Sequence, residues 1–234
     1  MLAPAAAAVL MLADARFPAG GHAHSGGLEG AVSDGAVTDV GSLELFLRGR
    51  LATAGVVAAG LAAAACARAG QPAGGWAGLD AEADARAPSP AQRDASRRQG
   101  RALLRAARAA WPAPGLDELA RAARPPHHAV VLGVTAAAAG TGPAEAALVA
   151  AYLAVTGPAT AAVRLLALDP IEVSAALARL SPAIEAAAAR GAAAAPGAAT
   201  SGTVAACDLP FPSAPGLDLY AETHVRAEVR LFAS

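Results

Sequence analysis

Apolar residues recur along this chain at helical rather than strand spacing. After Asp39, residues Val40, Leu43, Leu47 and Leu51 fall on one helical face, with Glu44 and Arg48 four apart on another. Thr38 or Asp39 caps that start. Ser89-Pro90-Ala91-Gln92 reads as a capping box with proline at the first helical position. Asp169-Pro170-Ile171-Glu172 repeats the pattern, Ser181-Pro182 supplies a cap plus proline, and Gly142-Pro143 ahead of Glu145 marks a further start. Breaks are predicted at residues 70–75, 87–90, 111–115, 125–126, 140–143, 157–158 and 169–170, where Gly and Pro cluster. The pieces between them have ordinary helix lengths. The prediction is an all-α fold, a single helical domain of roughly nine or ten helices.

The pattern changes near the C-terminus. Residues 191–216 are Ala, Gly, Pro, Ser and Thr with almost no charge, which predicts a flexible linker between a helical domain at 1–190 and a tail at 217–234. In that tail Val225, Ala227, Val229 and Leu231 alternate with Arg226, Glu228 and Arg230, a strand period, while Val225, Val229 and Phe232 also fit one helix face. Either way the tail is expected to order on something, its own domain or a partner.

Composition sharpens this picture. Hydrophobic residues make up 55% of the chain but aromatics only 3%, and much of the rest is alanine. Alanine favours helices and buries little area, so the core is expected to consist of closely packed helices. The apolar run from Leu51 to Ala67 falls short of the ~20 residues needed to span a bilayer and reads as a buried core helix. Residues 1–12 lack the basic start of a signal peptide. The net charge is −1 and all 18 basic residues are arginine, so no overall field attracts nucleic acid. Cys66 and Cys207 are the only cysteines, which fits unpaired thiols in a reducing compartment.

The densest candidate chemistry lies between Asp14 and Glu29, where Gly20-Gly21, Gly26-Gly27, Pro18, His22 and His24 fall close together. The glycines permit positive φ or close backbone approach, and Ser25 is placed to cap a short helix carrying Leu28 and Glu29. His22 and His24 are candidate metal ligands. They carry the alternative reading of a metal-dependent hydrolase, although no HExxH or CxxC completes such a site. A P-loop is excluded by the absence of lysine. Arg93, Arg97, Arg101, Arg105 and Arg108 form one basic ridge, a solvated face or a dock for an acidic partner. His127-His128, after Pro125-Pro126, reads as a helix start rather than a ligand pair.

The segment from Leu12 to Glu29 resembles the N-terminal motif of the UreF urease accessory proteins, roughly D-S-x-x-P-x-G-G-F-x-H-S-x-G-L-E. Asp14, Pro18, Gly20, Gly21, His24, Ser25, Gly27, Leu28 and Glu29 are in place. Ala95 to Gly100, His128 to Gly133 and Tyr152 to Leu168 are similar to internal segments of that family. His224, Arg230, Leu231, Phe232 and Ser234 match its tail, H-E-x-L-x-x-R-L-F-x-S. His22, Ala15 and Val225 depart from the usual Phe, Ser and Glu.

The resemblance implies an all-α, cytoplasmic, non-enzymatic protein that forms a two-fold homodimer. It further implies binding to a UreD/UreH-type accessory protein, recruitment of the UreG GTPase and docking on apo-urease for nickel incorporation, with no resident cofactor. No nucleic-acid or membrane partner is expected. The residues expected to meet partners are Gly20, Gly21, His24, Ser25 and Glu29 in the N-terminal turn, and His224, Arg230, Leu231 and Phe232 in the tail. His22 and His24 are the candidate contacts for transient nickel, and Arg230 is expected to pin the tail through fork-type hydrogen bonds.

Overall fold

The computed structural model describes residues 6–69, 76–194 and 209–233. All the regular secondary structure among these residues is helical, with no strand. The helices are α1 (Ala6–Ala13), α2 (Leu28–Ser33), α3 (Val40–Arg50), α4 (Val56–Arg68), α5 (Trp76–Ala85), α6 (Pro90–Ala110), α7 (Pro114–Ala120), α8 (His128–Ala138), α9 (Pro143–Leu166), α10 (Pro170–Arg179), α11 (Ser181–Ala193) and α12 (Pro215–Arg226). A π turn at Leu51–Gly55 joins α3 to α4 without a break. The all-α prediction holds, and the extra segments beyond nine or ten are short pieces such as α1, α2 and α7.

Helix α4 is the centre of the molecule, packed between α8, α9 and α11. Its residues Ala59 to Cys66 are all buried, as expected of a core helix from Leu51 to Ala67. Small residues make this possible. A Cβ on Gly133 of α8 would stand 2.2 Å from the Ala62 carbonyl oxygen, and one on Gly191 of α11 would stand 2.5 Å from Ala59 Cβ. Backbone thus meets backbone at these crossings, and the alanine-rich core recovers through close approach what it lacks in side-chain area. Residues 40–68 and 143–166 have the length and apolarity of membrane spans, but 67% and 56% of their most apolar windows are buried inside the protein.

The helix starts follow the capping residues, with two revisions. Asp39 accepts from Ser42 N at 2.8 Å and the Ser42 hydroxyl lies 3.1 Å from Asp39 N, so Asp39 rather than Thr38 is the cap. Asp169 caps α10 through Ile171 N, and Glu145 reaches back to Gly142 N. Ser89 accepts from Gln92 N at 3.1 Å, but the Gln92 side chain turns to Asp218 instead of back to the cap. Its place is taken from α12, where Asp218 accepts from Ser89 N at 3.3 Å, while Glu222 accepts from the Ser89 hydroxyl at 2.5 Å and from Ala91 N at 2.9 Å. Two carboxylates of α12 therefore sit at the positive end of α6. Ser181 lies inside the first turn of α11 and makes no cap.

The break expected at Gly157-Pro158 does not occur, because α9 runs through it. Pro158 has no N–H for the carbonyl of Ala154. Arg50 supplies the donor instead, its Nε lying 2.9 Å from that oxygen. At the C-terminal end, Gly191 to Ala193 extend α11 rather than begin a linker, and residues 195–208 of the expected linker lie outside the described residues. Gly216 falls in the first turn of α12. The ambiguous alternation from Val225 to Leu231 is divided: Val225 and Arg226 end α12, and the chain beyond leaves the helix.

Candidate functional site

The N-terminal turn is built from its glycines. Gly20, Gly26 and Gly27 have φ of 78°, 65° and 91°, where a side chain is strained. A Cβ on Gly20 would also press on Ala102 of α6 at 3.1 Å. Gly20 leads a 3₁₀ turn at Gly21–Ala23. The Ser25 hydroxyl then accepts from Glu29 N at 3.2 Å and tethers the start of α2, although Gly27 rather than Ser25 is the N-cap. Arg50 braces the turn from the other side, donating Nη1 to the Gly26 carbonyl at 2.7 Å. Burial brings that guanidinium down to about 10, and it remains charged at neutral pH.

The tail folds back onto this turn. The Glu29 carboxylate, 8% exposed, accepts from Leu231 N at 2.7 Å and from Phe232 N at 3.1 Å. His224 Nε2 lies 3.2 Å from the Phe232 carbonyl and 3.6 Å from Glu29 Oε2; because the carbonyl only accepts, Nε2 is the donor. Ala233 N donates to the Ala23 carbonyl at 2.6 Å. The Phe232 ring is buried, with the Arg164 guanidinium 5.0 Å from its centre. Among the described residues the tail thus orders on its own domain. Ser25, Glu29, His224 and Phe232 meet in one clasp, with His24 buried beside it.

Arg230 and Leu231 are not part of that grip. Both side chains are exposed, and Arg230 makes no hydrogen bond or ion pair among the described residues, so it does not pin the tail. The backbone amides pin it instead, a role no side-chain pattern announces. Val229 is 86% exposed beside them. The resulting outer surface mixes apolar Val229 and Leu231 with the charges of Glu228 and Arg230.

Beneath the clasp lies a cavity of about 520 Å³, lined by His22, His24, His128, Arg50 and Phe232 among others. Both candidate ligands line this cavity, His22 exposed and His24 buried. The histidine that shares the interior with His24 is His128. Burial and then Arg98 push His24 down to about 4; burial and then His24 do the same to His128. Both imidazoles are neutral at pH 7 and can accept a proton or hold a soft cation.

One cluster escaped sequence reasoning. Arg97, placed on the basic ridge by spacing, points inward beside Gly100, Leu104 and Ala107 of the buried face of α6. It donates to Asp80 at 2.7 Å, Asp84 at 2.8 Å and the Pro125 carbonyl at 2.6 Å. His127 does start α8 as expected, and its ring bridges Ser96 at 3.0 Å and Asp84 at 2.9 Å. Burial pushes this imidazole down, against the pull of its hydrogen bond to Asp84. Asp80, Asp84 and His127 have ligand-type atoms within 4.8 Å of one another. Arg97 bridges both carboxylates, and Arg93 and Arg124 approach Asp84 at 3.8 and 3.7 Å, so the group ties α5, α6 and α8 together rather than offering a cation site. The i,i+4 pair Asp80 and Asp84 was its only advance signal.

Comparison with known proteins bears on the whole chain. Residues 37–181 match the UreF family model. A urease accessory protein UreF from Mycolicibacterium vanbaalenii is 47% identical over 228 residues, covering 97% of this chain and 98% of the relative. Counterparts of the same name from Mycobacterium marinum and Mycobacterium tuberculosis are 45% and 43% identical over the same shares of both chains. The N-terminal turn and the tail, which meet in the clasp, fall outside the family-model match. The chain belongs to the UreF family of urease accessory proteins.

Proposed function

We propose that this protein is a cytoplasmic, non-catalytic scaffold for urease maturation, bridging a UreD/UreH-type protein and the UreG GTPase, regulating the GTPase cycle, and delivering nickel as cargo to apo-urease as part of a homodimer. The observation that carries this reading is the near full-length match to proteins named urease accessory protein UreF. The outer surface of the clasp supports it. Val229 and Leu231 expose apolar side chains around the unpaired guanidinium of Arg230, the mixture that anchors protein interfaces.

The test is copurification of the tagged chain with its cognate UreD/UreH-type and UreG partners. A stoichiometric complex is the expected outcome, and none forming from soluble, folded components refutes the scaffold role. Arg230→Ala is expected to weaken assembly about tenfold or more, as loss of an interface arginine does. Its far-UV circular dichroism should not change, because Arg230 makes no hydrogen bond or ion pair among the described residues. Unchanged assembly would remove Arg230 from the docking surface.

A further inference from the structure

We propose that the outer face of α6 bearing Arg98, Arg101 and Arg105 docks an acidic face of a protein partner, one that presents a row of carboxylates; this rests on the scaffold reading above. The basic ridge read from spacing is not the one that the fold presents. Arg93 turns back to the Ala87 and Pro88 carbonyls, and Arg97 is buried. Arg98 takes their place, and Arg98, Arg101, Arg105 and Arg108 are all exposed. Spacings of three, four and three residues put these guanidiniums along one side of the helix.

Arg108 is held by Asp117 at 2.8 Å. Arg98, Arg101 and Arg105 make no hydrogen bond or ion pair among the described residues. Asp94, one turn before Arg98, is exposed and makes no ion pair with it. Like charges three and four residues apart destabilise a helix, so α6 carries this row without a countercharge from its own chain. Arg121, Arg190 and Arg226 are exposed without an ion pair too, but they stand apart, at the end of α7, on α11 and at the end of α12.

The row defines what fits it. From Arg98 to Arg105 it runs about 10 Å along the helix. Asp94 and Asp117 bound its two ends. That length matches two or three carboxylates on a protein surface, which guanidinium forks engage in bidentate fashion. Nucleic-acid binders neutralise a longer series of phosphates, and this chain has a net charge of −1. Half-buried Ala102 and Ala106 flank the row and leave room for a close approach. The N-terminal turn packs against Ala102 at Gly20, so the turn and the row adjoin.

The test is the association rate of the full-length chain with its cognate UreD/UreH-type and UreG proteins, each measured separately across a salt series. The row variant is Arg98→Gln/Arg101→Gln/Arg105→Gln. The control, Arg121→Gln/Arg190→Gln/Arg226→Gln, removes the same charge elsewhere. For one of the two partners the row variant should associate about tenfold more slowly at low salt and lose most of its salt dependence, while the control stays near wild type. The row variant should melt no lower than wild type, because it removes repulsion within α6. Equal slowing by both variants, or slowing by neither, overturns the proposal. A lower Tm of the row variant overturns it in favour of a structural role. Row-dependent binding of a short DNA duplex at about 0.15 M salt overturns it in favour of a nucleic acid. Wild-type chain that binds neither protein takes down the scaffold reading and this inference together, whereas undiminished binding by the row variant takes down this inference alone.

Discussion

Arg50 and Pro158 form a pair whose coupling can be measured. Pro158 deprives the Ala154 carbonyl of its helical donor, and Arg50 Nε replaces it while Nη1 holds the Gly26 carbonyl. Arg50→Met keeps an apolar stem but removes the guanidinium and strands both oxygens. At about 1.5–3 kcal/mol for each of the two bonds from a charged donor, the loss should be about 3–6 kcal/mol. Pro158→Ala returns an N–H to the helix at the position that addresses Ala154, so alone it should be close to neutral. In the double variant that N–H takes over half of Arg50's work. The double variant should therefore be more stable than the sum of the two changes by about 1–2 kcal/mol. Urea unfolding followed by far-UV circular dichroism measures this, provided the m-values agree across the four proteins. Hydrogen exchange around Gly26 should stay fast in both Arg50 variants, since no backbone donor replaces Nη1. Additivity within about 0.5 kcal/mol would refute the idea that the arginine substitutes for the missing amide.

Two further outcomes follow from the interior. His24 and His128 are held near 4 in the folded protein against an ordinary value of 6.5, so the unfolded chain binds more protons below 6.5. Their contribution is fully present above that value and is lost as pH falls toward 4. Thermal melts should show a falling Tm across that window and a flatter profile in the His24→Gln/His128→Gln variant; parallel profiles would contradict the assignment. Gly133→Ala should destabilise by about 3 kcal/mol or prevent folding, because its Cβ would meet the backbone of α4. A chemical melt within about 0.5 kcal/mol of wild type would show that the α4–α8 crossing is looser than described.

Much of this architecture was legible in the residues. Apolar spacing and proline-led caps located the helices, and the run of alanines identified α4 as a core helix. Reading failed where a distant side chain intervened. Gly157-Pro158 breaks a helix by every local rule, yet Arg50, far away in sequence, removes the penalty. Gln92 fits a capping box until α12 brings Asp218 to the Ser89 amide. Arg97 has the spacing of a surface ridge but points toward Asp80 and Asp84, whose positions only the fold defines. The candidate site shows the same division. Glycines with φ near +80° and the Ser25 tether follow from local chemistry. That Glu29 would hold the backbone of Leu231 and Phe232, and that His128 would join His24, depends on contacts across most of the chain.

The central claim is that this chain serves urease maturation, and its most direct test is activation in cells. A urease operon lacking only its own UreF-type gene would receive this chain with its cognate accessory partners, and nickel content and ureolysis of the purified urease would be measured. The account predicts that both return. Apo-urease without activity, despite soluble expression of this chain and its partners, would contradict it.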